Sequence, residues 1–215
     1  MIQDSRNMKA LSGASKSAQK AFDAVDDPSF SNVPGEQKKA WAMAAIIHCD
    51  ICRQVVALDE CNVEGLARLL ILGNIVSKLF EAQRWYFGPG RTLLKDIAKS
   101  KDIGADRLEE YLKTLGAKHK VDSIQRYSEY RNKLSYHYDE NAITFLQLFS
   151  REDAEAFDAL LVGFVRYAGD WAKLTKCLIQ QGKIPNKYFQ FVPALAGLHR
   201  TGFTLHSKPA AEHWR

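Results

Sequence analysis

The spacing of apolar residues is the feature that most constrains what this chain can fold into. Apolar positions recur at i, i+3 and i+4, and strict alternation of apolar and polar residues is nearly absent. The clearest example is residues 36–58, where the repeat is formed by Trp41, Ala44, Ala45, His48, Cys52, Val55 and Val56. The sequence therefore predicts an all-α protein, with two long apolar helices at the centre of a bundle.

Turn and capping residues divide the chain into helices. The pattern predicts helices over residues 4–25, 36–58, 63–87, 92–100, 105–115, 121–136 and 152–181. Gly88, Pro89 and Gly90 should end the third of these, Gly116 the fifth and Gly182 the last. Ser150 is the predicted N-cap of the last helix. Beyond Pro185 the periodicity is lost, which predicts an irregular extension.

Composition places the chain among ordinary globular proteins. Its 215 residues are 46% hydrophobic and 26% charged, which excludes wholesale disorder. No unbroken apolar run reaches the roughly 18 residues of a membrane span. The longest apolar stretch, 66–80, contains Arg68, Asn74 and Lys78. The first 20 residues lack the apolar region of a secretory signal. We therefore expect a cytoplasmic protein without membrane contact.

The four cysteines leave two interpretations open. Four cysteines are too few for a disulfide scaffold in a chain of this length, so reduced thiols are expected. Cys49 and Cys52, with His48 beside them, form a C-x-x-C pair that could supply two zinc ligands. No second pair follows, and residues three apart on a helix simply share one face. We therefore favour the interpretation that these cysteines are buried structural thiols. We expect no metal and no cofactor.

Positive charge is concentrated at the C-terminal end. The whole chain has a formal net charge of +5, and residues 183–215 contain five Lys or Arg against Glu212 alone. The same segment carries five aromatic residues: Tyr188, Phe189, Phe191, Phe203 and Trp214. Aromatic rings among cations could stack bases and neutralise phosphates. Alternatively, the rings pack on the body of the protein while the lysines stay solvated.

The most informative segment is residues 130–139. On a helical wheel, Arg131 falls on an apolar stripe with Ile124, Tyr127, Leu134 and Tyr138, where an arginine is costly unless it is paired. His137 is six residues further on, about 240° around an ideal helix. The two side chains cannot meet on one straight helix. Either the helix ends near Tyr136, or a second copy of the segment completes the site.

The residues of this segment resemble a known motif. Arg131, Asn132 and His137 match the R-N-x(4)-H form of the R-x(4-6)-H motif of HEPN domains, and the segment is similar to bacterial members of toxin–antitoxin and abortive-infection systems. The resemblance covers about residues 37–181. It implies an antiparallel helical bundle and a homodimer that brings two motifs together. In active members it also implies a metal-independent endoribonuclease.

With this resemblance, the chain is expected to have three parts. Residues 1–35 form an N-terminal helix and loop, residues 36–182 a HEPN-like helical bundle, and residues 183–215 a basic aromatic extension. Arg131, Asn132 and His137 are the predicted catalytic residues.

The roles of the predicted catalytic residues follow from the chemistry of RNA cleavage by the 2′-hydroxyl. The reaction needs an acid or base that titrates near neutral pH and a cation for the charge on phosphorus. His137 fits the first requirement and Arg131 the second. Lys133, Tyr136 and Tyr138 are predicted to bind substrate, and Glu81 to support the site as an orienting carboxylate. Glu81 is the candidate because it shares a polar stripe with Asn74, Lys78 and Trp85 on an otherwise apolar helix.

A simpler interpretation of the same residues stays open. Arg131 and Glu81 would then form a buried structural ion pair, and His137 would be a capping or surface histidine. The corresponding function is a catalytically inactive helical module that binds nucleic acid or a protein partner. In the enzyme interpretation the partners are RNA, a second copy of the chain and an antitoxin or other protein, with a role in phage defence or as a toxin.

Overall fold

The computed structural model describes residues 2–60, 65–132 and 151–186. About 87% of this part of the chain is helical, and it contains no strand. The prediction of an all-α protein is confirmed.

Seven helices run through the described ranges. Helix α1 spans Ile2–Asp23, α2 Gly35–Glu60, α3 Gly65–Phe87, α4 Pro89–Ser100 and α5 Ala105–His119. A 3₁₀ helix, Val121–Tyr127, leads into the short helix α6, Ser128–Tyr130, and α7 spans Arg151–Gln181. A single 3₁₀ turn, Pro28–Phe30, lies between α1 and α2.

Helix α2 is the centre of the fold. It packs against α1, α3, α4 and α7. Its buried residues occupy most of its circumference and include Trp41, His48 and Leu58. Helix α1 contributes three buried alanines to the same core, Ala14, Ala18 and Ala21, and Ala24 directly after the helix is a fourth. The N-terminal helix therefore shares its core with the predicted bundle.

The apolar character of α2 is stronger than the sequence pattern suggested. Among the helices searched in the described ranges, Gly35–Glu60 is the one that is long and apolar enough to cross a membrane, with a mean hydropathy of 1.3 over its best window. The sequence pattern instead indicated residues 66–80 as the leading apolar stretch. Because 61% of that window is buried inside the protein, the hydropathy is explained by the central position of α2 in the core.

A cluster of aromatic rings joins α3 to α7. Tyr86 on α3 lies with its ring centroid 5.1 Å from that of Tyr167 and 4.9 Å from that of Trp171, both on α7. Close by, α5 ends against α7 at Gly163, where a Cβ would lie only 2.4 Å from the carbonyl oxygen of His119. Glycine at this position therefore allows the two backbones to approach.

Two helix boundaries lie three or more residues from their predicted positions. Helix α4 begins at Pro89, not near residue 92, because proline is well suited to the first position of a helix. Helix α5 does not end at Gly116; it continues to His119, and Lys120 adopts the left-handed conformation with a φ of 51°. The side chain of His119 is buried against α7, which favours the additional turn.

The segment after α5 also differs in form. Residues 121–136 were predicted as one α-helix, but the backbone is 3₁₀ from Val121 to Tyr127. Gly182 follows α7 with a φ of 59°, so its predicted role as the helix end is confirmed. Ile184, in the predicted extension, is buried in the core. Ser150 and the tail from Lys187 onward lie outside the described residues.

Candidate functional site

Arg131 is the predicted catalytic residue that the structure describes best. It follows the 3₁₀ helix and α6, in which Ile124 and Tyr127 are buried. These two residues are three apart, which is one full turn of a 3₁₀ helix, so both point into the core. The buried pair holds the segment against the bundle and places Arg131 beside α3.

Two groups on α3 hold the guanidinium of Arg131. Its Nη2 donates a hydrogen bond of 3.0 Å to Oε1 of Glu81. Its central carbon lies 5.2 Å from the centroid of the Phe80 ring, within the range of a cation–π contact. The contact between Arg131 and Glu81 was anticipated because Glu81 belongs to a polar stripe on an otherwise apolar helix.

The pair is not buried, contrary to the structural interpretation of a buried ion pair. The side chain of Arg131 is 28% exposed and that of Glu81 is 48% exposed. An ion pair open to solvent contributes at most about 1 kcal/mol to folding. Its main effect is therefore to orient the guanidinium of a side chain that is still partly exposed to solvent.

Glu81 also lines a groove between α2 and α3. The groove has a volume of about 550 Å³, and its polar residues include Asp50, Lys78 and Arg84. Nζ of Lys78 lies 3.6 Å from Oδ2 of Asp50 across the groove. The apolar residues Met43 and Ile46 on α2 are 41% and 40% exposed. One face of the candidate site is thus an accessible surface of mixed charge with an apolar wall.

The remaining predicted site residues are placed only in part. Asn132 follows Arg131 in the chain and is exposed. The other four lie outside the described residues: Lys133, Tyr136, His137 and Tyr138. The described part of the site therefore consists of Arg131, its partner Glu81 and the neighbouring Asn132.

Sequence reasoning missed a buried histidine–aspartate pair. Nε2 of His119, on α5, lies 2.9 Å from Oδ2 of Asp170 on α7, and the two side chains are 4% and 0% exposed. A signal for it was available, because Asp170 falls within the apolar repeat of α7, one residue before the buried Trp171. A carboxylate in such a position requires a partner.

This histidine–aspartate pair is buried and lies outside the lining of the neighbouring cavity. A cavity of about 590 Å³ lies nearby, and its lining includes Tyr167, Trp171 and Glu109 but neither His119 nor Asp170. Hydrogen bonds from Arg91 and then Lys95 lower the pKa of Glu109 to about 2. The cavity thus has an ionised, fully paired carboxylate at its edge, while the histidine–aspartate pair lies buried behind it and joins α5 to α7.

The cysteines on α2 do not form a metal site with their neighbours. Burial raises the pKa of the Cys52 thiol to about 12, which disfavours the thiolate that zinc would bind. Across residues 2–60, 65–132 and 151–186, no group of three or more His, Cys, Asp or Glu side chains is arranged to hold a metal ion. Cys49 and Cys52 are free thiols in this arrangement.

Comparison with known proteins returns no relative. No family model, no curated protein and no solved structure matches the chain. The candidate site must therefore be judged from its own residues.

Proposed function

We propose that this protein is a metal-independent endoribonuclease of the HEPN type, which cleaves RNA through attack of the 2′-hydroxyl on the adjacent phosphate. The observation that carries the proposal is the state of Arg131: its guanidinium is oriented by Glu81 and Phe80, and its side chain remains partly exposed. A fixed and accessible cation is what a reaction that builds negative charge on a phosphate requires.

Each residue of the motif has a defined role in this proposal. Arg131 binds the phosphate oxygens, and Asn132 donates to the phosphate or orients the histidine. His137 transfers the proton, since an imidazole titrates near neutral pH. Tyr136 and Tyr138 stack bases, Lys133 adds a phosphate contact, and Glu81 positions Arg131.

The proposal includes a homodimer. His137 follows Arg131 by six positions, so a two-fold contact between copies is the simplest way to bring one residue of each kind into a shared cleft. The exposed Met43 and Ile46 of the groove beside Glu81 offer apolar surface for such a contact. The biological role that fits is a toxin or phage-defence nuclease controlled by an antitoxin or other protein partner.

A second function is favoured by one specific feature of the same contact. Glu81 neutralises much of the charge that Arg131 would offer to a phosphate. If that ion pair persists when RNA is present, the protein is a catalytically inactive helical module that binds nucleic acid or a protein partner. The basic segment 183–215 would then supply the binding surface. Because Ile184 is part of the core, a truncation that tests this should begin at Lys187.

The decisive experiment compares charge-matched variants in an RNA cleavage assay with excess chelator. Arg131→Gln and His137→Ala should each lower the cleavage rate by about 10² to 10³. Arg126→Gln removes the same charge from an exposed position five residues earlier, and His206→Ala removes a histidine outside the motif. Both controls should cleave at the normal rate.

The products distinguish the two functions. Attack by the 2′-hydroxyl leaves 2′,3′-cyclic phosphate ends, which end-group analysis detects. Cleavage that Arg131→Gln and His137→Ala leave unchanged, or that stops with chelator and returns with magnesium, would contradict the nuclease proposal. Salt-dependent RNA binding without cleavage, lost on truncation at Lys187, would favour the inactive module.

A further inference from the structure

A third cavity lies between α1, α2 and α7, and none of its lining residues belongs to the segment around Arg131. Helices α1 and α7 each pack along α2. The space that they leave has a volume of about 530 Å³, which is within the range of small-molecule sites. His48 and Cys52 of α2 form its buried floor, and small residues of the two flanking helices form its walls: Ala10, Gly13, Ala14, Ser17, Gly169 and Ala172.

The charge of this cavity has one sign. Lys9 of α1 and Lys173 and Lys176 of α7 belong to its lining, and no lining residue is an aspartate or glutamate. The flanking sequence has the same character, because residues 5–22 contain four Lys or Arg and no carboxylate. Lysines from two helices therefore border one cavity, and their positive charge favours an anionic ligand there.

The floor of the cavity carries no charge at neutral pH. Burial lowers the pKa of His48 to about 4, an effect that the charge of Asp170 only partly opposes. Burial also raises the pKa of Cys52 to about 12, so its thiol stays protonated. The cavity thus combines a neutral, mostly apolar interior with a cationic rim, and it offers no thiolate for covalent chemistry.

The lining also indicates what kind of apolar body would fit. Apart from the imidazole of His48 in its floor, it contains no aromatic ring on which a nucleobase could stack, and it has no amide side chain to read a base edge. Its walls are alanine, glycine and one serine, Ser17, and a Cβ placed on Gly13 would meet no atom within 4 Å. An aliphatic chain needs only this unobstructed apolar space.

We propose that the cavity between α1, α2 and α7 is a binding site for a small aliphatic anion, in which the chain occupies the apolar interior and a carboxylate or phosphate head group binds Lys9, Lys173 and Lys176. The site is independent of the proposed nuclease, since it shares no residue with the segment around Arg131.

Calorimetric titration of the full-length protein tests the ligand class. Decanoate and decyl phosphate, each below its micelle-forming concentration, should bind with one-to-one stoichiometry. The stronger of the two identifies the head group. Decanol, which lacks the charge, and inorganic phosphate and acetate, which lack the chain, should bind at least about tenfold more weakly, a loss of roughly 1.4 kcal/mol. Equal binding of decanol or of the bare anions would overturn the proposal, as would binding to anionic vesicles alone.

Matched variants test the location. Replacing Lys9, Lys173 and Lys176 together by glutamine should weaken decanoate binding about tenfold or more, because the charge pairs with the head group are lost. The control replaces Lys16, Lys20 and Lys183, which are outside the lining, and should leave the affinity unchanged. An equal loss in both triple variants would show a general charge effect and contradict the assignment.

A steric variant provides a test that does not depend on charge. Gly13→Leu should obstruct the cavity and abolish binding, because Gly13 belongs to the lining and its Cβ would enter open space. Gly116→Leu is the matched control on α5, because a Cβ there also meets no atom within 4 Å. Full decanoate binding by a folded Gly13→Leu protein, with circular dichroism as the check, would overturn the proposal.

Discussion

Helix α7 builds two different environments on its two sides. Toward α3 it presents Tyr167 and Trp171, whose ring centroids are 5.7 Å apart and which pack against Tyr86. Toward α1 it presents small residues and lysines, and a cavity of about 530 Å³ remains. The same helix thus closes one side with large rings and leaves the other side open because Gly169 and Ala172 fill little space.

Asp170 lies where the two sides meet. Its carboxylate contacts His119 at the end of α5, and its charge also acts on His48 in the floor of the cavity. On the aromatic side, α7 is therefore held by the close approach of its backbone to α5 and by the buried His119–Asp170 pair. On the cavity side it faces the neutral His48 and small side chains. The effects of mutations on the free energy of unfolding should therefore differ in sign and size between the two sides of α7.

The largest effect is expected where two backbones touch. Gly163→Ala would place a Cβ 2.4 Å from the carbonyl oxygen of His119, and a backbone atom cannot move aside as a flexible side chain can. Overpacking of this kind costs about 1 to 3 kcal/mol and sometimes more, so we expect about 3 kcal/mol. Chemical denaturation measures the loss. A change below about 0.5 kcal/mol would show that α5 can move away from α7 without cost.

The second effect is acid destabilisation through His48. The ordinary pKa of 6.5 is lowered to about 4 in the fold, so between these values the unfolded chain binds a proton that the folded chain does not. The contribution of His48 to stability should therefore fall as pH decreases from 6.5 to 4 and level off below 4. The shift corresponds to at most about 3 kcal/mol. Denaturation at a series of pH values measures the slope.

The control for this prediction is His48→Gln, which should flatten the profile between pH 6.5 and 4.5. The charged groups that face His48 are Asp170, and Lys9, Lys173 and Lys176 at the rim of the same cavity. Glu109 does not interfere, because a carboxyl whose pKa is lowered from 4.5 to about 2 loses its contribution only below pH 4.5. An unchanged slope in His48→Gln would show that another group is responsible.

The third effect has the opposite sign and tests the open side directly. Gly13→Ala places its Cβ in space that no atom occupies within 4 Å. Alanine within a helix is favoured over glycine by up to about 1 kcal/mol, so the variant should be more stable than the parent chain. Gly163→Ala is its matched partner, also inside a helix. Destabilisation by both substitutions would remove the proposed difference between the two sides of α7.

The sequence predicted the helices well and their contacts poorly, for a physical reason. The periodicity of α2 and α7 depends on residues close in the chain, and their ends were found to within two residues. The predicted end of α5 was wrong because the buried side chain of His119 contacts Asp170, which is 51 residues away in the sequence. Gly116 therefore does not stop the helix.

The candidate site was predictable to the same extent. A cation on an apolar stripe predicted that Arg131 needs a partner, and the polar stripe on α3 made Glu81 a candidate, which the observed hydrogen bond matches. The contact with Phe80 and the exposure of the pair depend on how the 3₁₀ segment meets α3, which no local pattern encodes. The cavity between α1 and α7 arises from the spacing of three helices and was likewise not visible in the sequence.

The smallest expected effect concerns the ion pair beside the proposed RNA site, which differs from both sides of α7 because it is open to solvent. A double-mutant cycle with Arg131→Gln and Glu81→Gln should give a coupling energy for folding of about 0.2 to 1 kcal/mol, measured by denaturation. High salt should reduce it further, since screening weakens exposed pairs. The same substitution can also be tested in the RNA cleavage assay. If Glu81 positions Arg131 for catalysis, Glu81→Gln should lower the cleavage rate far more than its small effect on folding stability can explain.

Glu110→Gln, in which a carboxylate is removed from α5, is the control and should leave cleavage unchanged. A coupling above about 2 kcal/mol would mean that the pair is a structural contact of the buried kind, and would favour the inactive module.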